Sequence, residues 1–78
     1  MGKRAQDGRL VDKCLDNVKV GEPFFVLRAS DVTAPWAVRN WAANAQTKGT
    51  PQEKIDEAMK IATEMETWGQ RNGAKVPD

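Results

Sequence analysis

A chain of 78 residues makes one small domain, and a domain of this length buries only roughly 60–65% of its unfolded surface. Its formal net charge of +1 gives no general attraction for nucleic acid, and its single cysteine excludes an intrachain disulfide bond. It lacks an apolar stretch long enough for a signal peptide or a membrane span, so we expect a cytoplasmic protein with no membrane partner.

The first segments of the chain differ in apolar content. Residues 1–7 carry little that can be buried, and we expect them to be flexible. From residue 8 to residue 18, apolar side chains recur at the spacing i, i+1, i+4, i+5 and i+8, which is one face of a helix. They are Leu10, Val11, Cys14, Leu15 and Val18. The pattern predicts a short helix over 8–18, with Cys14 as a small core residue, and a break at Gly21 and Pro23.

Phe24–Leu27 is the most hydrophobic run in the chain. It is too short for periodicity to separate a strand from a buried helical turn, and Pro23 is also suited to begin such a turn. Its aromatic and β-branched side chains favour an extended segment. We expect this segment to insert the rings of Phe24 and Phe25 into a helical core. The sequence shows no second strand to pair with it, but a homodimer that pairs two such segments edge to edge would supply one.

A longer helix is predicted from Pro35 to about Lys48. Its candidate N-caps are Ser30, Asp31 and Thr33. Apolar side chains at i, i+3, i+4 and i+7 form its buried stripe. They are Val38, Trp41, Ala42 and Ala45. Because the stripe is mostly alanine, we expect another helix to approach closely, with Trp41 as the large anchor.

Residues 48–53 indicate the end of this helix and the start of another. Gly49 can take the left-handed conformation that closes a helix. Thr50 is the predicted N-cap, and Pro51 fits the first helical position, where no N–H is needed. Glu53 follows three residues after Thr50, so its carboxylate can reach back to the N–H of Thr50 and complete a capping box. The junction predicts a central antiparallel helical hairpin.

The last predicted helix runs from Pro51 to about Trp68. Its apolar side chains fill about half of the helical wheel. They are Ile55, Ala58, Met59, Ile61, Ala62, Met65 and Trp68. A single neighbouring helix needs a stripe of only about 100°. The wider face therefore predicts two partners, which are the preceding helix and either the first helix or another subunit. We expect Gly69 and Gly73 to end the helix and residues 74–78 to be flexible.

The side chains that usually support catalysis are scarce. The chain contains neither His nor Tyr, and Cys14 lacks the His partner that a thiol nucleophile usually needs. The carboxylate pairs Asp56–Glu57 and Glu64–Glu66 lie on the predicted solvated face of the last helix, which favours a surface role over acid–base chemistry. We expect no enzyme activity, no bound metal and no cofactor.

Nucleic-acid binding is the alternative function for a small helical domain. The basic N-terminal side chains suited to contact phosphate are Lys3, Arg4, Arg9 and Lys13. A helix-turn-helix at the hairpin is not favoured. Its second helix carries five carboxylates against Lys54 and Lys60, so DNA would repel it. The alternative is a weak nucleic-acid association through the basic N-terminal arm.

Trp36, Arg39 and Asn40 are the candidate protein-interface residues. Trp36 lies roughly 160° around the helix from Val38, away from the alanine stripe. A Trp and an Arg together on an exposed helical face are typical of interface positions that carry much of the binding energy. Arg39, at i+3, is also placed to stack on the ring. The alternative is that Trp36 packs over Phe24–Leu27 in the interior.

Residues 23–31 have the sequence Pro-Phe-Phe-Val-Leu-Arg-Ala-Ser-Asp. They are followed by Thr33-Ala34-Pro35, Val38-Arg39, Trp41-Ala42, and Met65-Glu66 with Trp68. Over roughly residues 22–68, this combination resembles a group of small uncharacterised proteins from phage and prophage genomes. The resemblance implies a phage-type accessory context, with the host cytoplasm as the location. It transfers no functional residue.

The sequence therefore predicts a small, mainly α domain with a central antiparallel αα-hairpin and a short extended segment at 24–27. Its expected function is that of a non-enzymatic protein-interaction module whose protein partner is unknown. A chain this small buries little apolar surface, so we expect either marginal stability on its own or self-association, for which a homodimer is the candidate form.

Overall fold

The computed structural model describes residues 3–4, 6–8 and 10–76. The elements are β1 (Lys3–Arg4), β2 (Leu10–Val11), α1 (Lys13–Asp16), α2 (Ala34–Thr47) and α3 (Gln52–Asn72). The protein is mainly helical, and α2 and α3 pack together as a hairpin, which confirms the predicted fold class. No helix in these ranges combines the length and apolar character needed to cross a membrane.

Gly49 ends α2 in the predicted left-handed conformation, with φ of 86°. The N–H of Gly49 donates to the carbonyl of Gln46 at 3.3 Å, and the N–H of Thr50 donates to the carbonyl of Ala45 at 3.1 Å. These two bonds form a Schellman motif, which satisfies carbonyls that the end of a helix would otherwise leave unpaired. The chain can therefore reverse within a few residues and return along α2.

The capping box predicted at Thr50 and Glu53 is wrong. α3 begins at Gln52, and Pro51 is its N-cap with φ −53° and ψ 139°, without a side-chain hydrogen bond at the cap. Pro51 therefore precedes the first helical position that it was predicted to occupy. The N–H of Thr50 already donates to Ala45, so the Glu53 carboxylate has no free donor to reach back to.

The core between α2 and α3 consists almost wholly of alanine. The buried hydrophobic residues are Ala34, Ala42, Ala45, Ile55, Ala58 and Ala62. Val38 is partly buried and packs against this cluster. Ile55 is the one residue of this list that is larger than alanine, and its side chain is 4% exposed. Small side chains let the two helices approach closely, but each removes little apolar surface from water.

Trp41 is not the large anchor that the sequence predicted, because its side chain is 48% exposed. It lies about 100° around α2 from Ala42, at the flank of the buried face. The two helices meet through alanine, so an indole ring does not fit between them. The predicted stripe is buried only at its small residues.

β1 and β2 replace the first part of the helix predicted over 8–18. The two strands are antiparallel, with Lys3 opposite Val11. The chain passes through Gly8 at φ of 92°, a conformation that glycine adopts without a Cβ clash. The guanidinium of Arg4 donates to the carbonyl of Gly8 at 3.3 Å. A turn and a ladder therefore form where the apolar spacing predicted helix.

α1 keeps only four residues of that predicted helix. Asp12 is its N-cap in an extended conformation, and its side chain accepts the N–H of Cys14 at 2.9 Å. An N-cap starts a helix, so Leu10 and Val11 are separated from the helical residues that follow. Cys14 is exposed, and the prediction that it is a core residue is wrong.

Residues 22–28 form neither helix nor strand, and they hold the segment that was predicted to be extended. The side chains of Phe24 and Phe25 are 64% and 84% exposed, so the prediction that their rings enter the helical core is wrong. The close contact of α2 and α3 through alanine leaves no space for a phenyl ring. The most hydrophobic run of the chain lies on the surface.

α3 continues past its predicted end at Trp68 and reaches Asn72. Gly73 closes the helix in the left-handed conformation, with φ of 80°. Gly69, which was also expected to end the helix, is buried inside it. Only one of the two glycines is therefore a helix terminator, and the other has a packing role described below.

The chain after α3 is joined to the chain before α2. Asp31 and Lys75 form a parallel β-bridge. The N–H of Val32 donates to the carbonyl of Lys75 at 2.9 Å, and the N–H of Lys75 donates to the carbonyl of Ser30 at 3.0 Å. These bonds close the open end of the hairpin. Lys75 lies within residues 74–78, which were expected to be flexible. The flexibility of residues 1–7 and 74–78 stays a prediction.

Candidate functional site

A groove of about 500 Å³ lies where the start of α2 meets the second half of α3. Its lining includes Val32, Pro35, Trp36, Arg39, Met65 and Glu66. We call it the Trp36 groove. Two of the three candidate interface residues, Trp36 and Arg39, lie in its wall. Their role at an interface stays a prediction.

The first turn of α2 is held by Asp31. Its carboxylate accepts the N–H of Thr33 at 2.8 Å and the hydroxyl of Thr33 at 2.6 Å. Thr33 is the N-cap, as one of the three predicted candidates, but its own side chain does not bond to the helix. Pro35 lies in the first turn, where a missing N–H costs nothing. The turn at Asp31 therefore precedes the start of α2, whose first turn carries Trp36.

Gly69 lets the chain at Ala29 and Ala74 lie close against α3 at the groove. A Cβ at this position would lie 2.8 Å from the Cβ of Ala74 and 3.4 Å from the carbonyl oxygen of Ala29. Real Cβ atoms do not tolerate the first of these distances, so only glycine allows this approach without a shift. Sequence reasoning missed this role. The signal for it was a glycine followed by further helix-compatible residues, Gln70 and Arg71.

Trp36 is 68% exposed, which excludes a position in the interior of the described structure. Val32, beside it in the groove lining, is 52% exposed. Tryptophan is highly buried on average in folded proteins, and Trp36 is the most exposed of the three tryptophans in this chain. The groove therefore has an apolar mouth open to solvent.

Arg39 and Glu66 form a two-pronged ion pair in the groove wall. Nη1 of Arg39 donates to Oε2 of Glu66 at 3.1 Å, and Nη2 donates to Oε1 at 3.2 Å. The hydrogen bond from Arg39 lowers the pKa of Glu66, and the same bond raises the pKa of Arg39. The pair joins α2 to α3 and orients the Arg39 side chain beside Trp36.

Asn40 is exposed but lies outside the groove lining. Met65 and Glu66 line the groove from α3, although the sequence had assigned them only to an apolar face and an acidic pair. Glu66 lies 27 residues after Arg39. Helical periodicity gives no information about a contact of that sequence separation, so these residues were not predicted as part of the site.

The wide apolar face of α3 is only partly covered. Of the described elements, α3 packs against α2 alone, so the predicted contact with the first helix is wrong. Met59 and Trp68 are 42% and 46% exposed. Ile61 and Met65 are half-buried. The other predicted partner of this face, a second subunit, stays a prediction.

The basic residues of the alternative function are dispersed over short elements. Lys3 and Arg4 form β1, and Lys13 begins α1. Arg9 lies outside the described residues. Arg4 is exposed, and its guanidinium donates to a main-chain carbonyl. Nucleic-acid binding by this region stays a prediction.

No group of three or more metal-ligating side chains comes together in the part of the chain that the structure describes. Compared with known protein families, with curated proteins and with solved structures, the chain shows no significant match.

Proposed function

We propose that the protein is a non-enzymatic protein-interaction module that holds an apolar segment of its partner in the Trp36 groove. The observation that carries this proposal is the 68% exposure of Trp36 beside the Arg39–Glu66 pair. Trp and Arg are the residue types that most often dominate binding energy at protein interfaces. In the phage-type context that the sequence resemblance implies, the module acts in the host cytoplasm.

The distribution of apolar side chains supports this proposal. The buried core holds five alanines and Ile55. All three tryptophans and both phenylalanines are between 46% and 84% exposed. Exposed apolar surface of this kind marks binding surfaces in soluble proteins, because each aromatic side chain gains free energy when a partner covers it.

The polar groups around the groove also fit a protein interface. Interfaces usually have an apolar centre and a polar rim whose hydrogen bonds are satisfied. Pro35 and Met65 contribute apolar lining, and the ion pair of Arg39 and Glu66 lies in the wall. The charges of Arg39 and Glu66 satisfy each other, and the Asp31 carboxylate, which also lines the groove, accepts two hydrogen bonds from Thr33. The charged side chains of the lining therefore already have partners when an apolar group is covered.

Site-specific photocrosslinking tests the proposal. A benzophenone amino acid is placed at Gln70, which is exposed and lines the groove, or at Gln46, which is exposed near the opposite end of the hairpin. We expect protein adducts from position 70 and not from position 46. Trp36→Ala should remove the adduct while leaving the helical circular dichroism signal intact.

Equal adduct formation at both positions would contradict the proposal. So would an adduct at position 70 that Trp36→Ala leaves unchanged. Loss of the circular dichroism signal in Trp36→Ala would place the indole among the structural contacts of the hairpin instead.

A further inference from the structure

Residues 23–27, which we call the Phe arm, include three large apolar side chains that are mostly exposed. Phe24, Phe25 and Val26 are 64%, 84% and 59% exposed. The arm has no helix or strand, and within the described residues no hydrogen bond ties its main chain to the hairpin. An irregular segment with free main-chain groups and aromatic side chains is a form in which peptides dock into grooves.

The Trp36 groove has the size and lining to receive such a segment. Its volume of about 500 Å³ lies within the range of about 300–1,000 Å³ that is common for binding pockets. Met65 supplies an adaptable apolar surface, and Ala29, Gly69 and Ala74 are small residues of the lining. Trp36 and Val32 at the mouth are exposed and can close over an inserted ring.

The arm of the same chain does not fill this groove. The arm joins the rim of the groove at Ala29 through a turn in which the N–H of Asp31 donates to the carbonyl of Arg28 at 2.9 Å. Residues 23–27 are not part of the groove lining, and both phenyl rings are exposed. One chain therefore holds both an exposed aromatic arm and a groove that the arm does not line.

A second copy would cover both surfaces at once. In a two-fold symmetric dimer, the arm of each chain meets the groove of the other. Symmetry makes each arm–groove contact occur twice. A foreign partner in the groove would leave Phe24 and Phe25 in water. The exchange also brings large apolar side chains to a domain whose own core is built from alanine.

The area involved is consistent with a stable dimer. At the exposures of Phe24, Phe25 and Trp36, burial in both copies would remove roughly 650–1,100 Å² of aromatic surface. Specific interfaces bury about 1,200–2,000 Å² in total. The valine side chains and the main chain of the arm would contribute the remaining area.

From these observations we propose that the occupant of the Trp36 groove is the Phe arm of a second copy of this chain, exchanged reciprocally in a two-fold dimer. This inference rests on the proposed function, because it names the partner of the same groove. It makes Phe25, the more exposed of the two phenylalanines, the residue inserted into the partner.

Sedimentation equilibrium on the purified full chain tests the dimer and the arm together. We expect a dimer that dissociates on dilution, and Phe25→Ser should weaken it by at least about 100-fold, because two symmetric phenyl contacts are lost. The matched control is Val76→Ser, since Val76 is 71% exposed and lies outside both the arm and the groove lining. It should leave dimerisation unchanged.

Crosslinking between labelled copies tests the contact itself. A benzophenone amino acid at position 25, in a mixture of ¹⁴N and ¹⁵N chains, should give mixed-isotope adducts at Met65, because benzophenone reacts readily with methionine. A monomer at all concentrations, a Phe25→Ser dimer as tight as the wild type, or adducts that avoid the groove would each overturn the inference. In any of these cases, a foreign protein captured at position 70 would still support the proposed function.

Discussion

The helical hairpin of residues 34–72 and the preceding region of residues 12–28 differ in what they bury. The hairpin has two long helices, a closed turn at Gly49 and a continuous core, although that core is nearly all alanine. The preceding region has larger apolar side chains, yet Val20, Phe24 and Phe25 are exposed and only α1 is helical. Of the described elements, those before α2 do not pack against the hairpin.

This difference shows that hydrophobic content does not locate the core of this protein. The core forms where a helix ends in a defined capping motif and where small side chains let two helices approach each other. Large apolar side chains remain outside because a close alanine contact cannot admit them. They are the surface that a partner can cover.

The largest expected effect is on the one large residue of the core. Ile55 is 4% exposed, so Ile55→Ala should lower the free energy of unfolding by about 2–5 kcal/mol. Met59, one turn later and 42% exposed, is the control, and Met59→Ala should cost about 1 kcal/mol or less. Urea denaturation followed by circular dichroism measures both. Equal losses would mean that the hairpin core does not determine stability.

Two glycines with similar positive φ values, one in each region, allow the regions to be compared. Gly49 has φ of 86° and Gly21 has φ of 82°, and both have open space where a Cβ would lie. Gly49→Ala should destabilise the hairpin by about 1–2 kcal/mol, because alanine disfavours this conformation. Gly21→Ala, outside the hairpin, should change its unfolding by less than about 0.5 kcal/mol. An equal effect on thermal unfolding of the helices would show that the regions unfold together.

Gly69→Ala tests the close contact of α3 with Ala29 and Ala74. Overpacking typically costs about 1–3 kcal/mol, and the higher helix propensity of alanine offsets about 1 kcal/mol of it. We therefore expect a net loss of roughly 1 kcal/mol in chemical denaturation. Ala74→Gly removes the atom that the new Cβ would meet, so the double variant should recover most of the loss. A double variant no more stable than Gly69→Ala would place the clash elsewhere.

The smallest effect is expected at the Arg39–Glu66 pair. The hydrogen bond from Arg39 holds the pKa of Glu66 below its ordinary value. The pair therefore stabilises the hairpin fully at pH values above the ordinary pKa of a glutamate side chain. This stabilisation is lost as pH falls through the lowered pKa. An NMR titration of the Glu66 carboxyl should show its pKa rising in Arg39→Met. An unchanged pKa would mean that the pair does not form in solution.

Local signals explain the part of the fold that the sequence predicted. Left-handed Gly49 and the periodicity on both sides of it depend only on neighbours along the chain, and they placed α2 and α3. The predicted capping box does not form because the N–H of Thr50 had two possible acceptors. It donates to the carbonyl of Ala45 in the Schellman motif and not to the carboxylate of Glu53. The helix over 8–18 failed because an N-cap at Asp12 and a turn at Gly8 outweighed apolar spacing.

The candidate site was predicted in part for the same reason. Trp36 and Arg39 were found from their place on a helical wheel, which is local information. Glu66, Met65 and the packing role of Gly69 depend on how two helices and the chain after α3 come together. No periodic pattern within one element contains that arrangement.

The bridge between Asp31 and Lys75 has a mechanical consequence. Its two hydrogen bonds join parallel segments, so a force that pulls the two ends of the chain apart loads both bonds in shear at the same time. Without the bridge, the same force would peel the hairpin open one helical turn after another from its open end. The bridge therefore makes the hairpin resist tension as one unit before either helix begins to unfold.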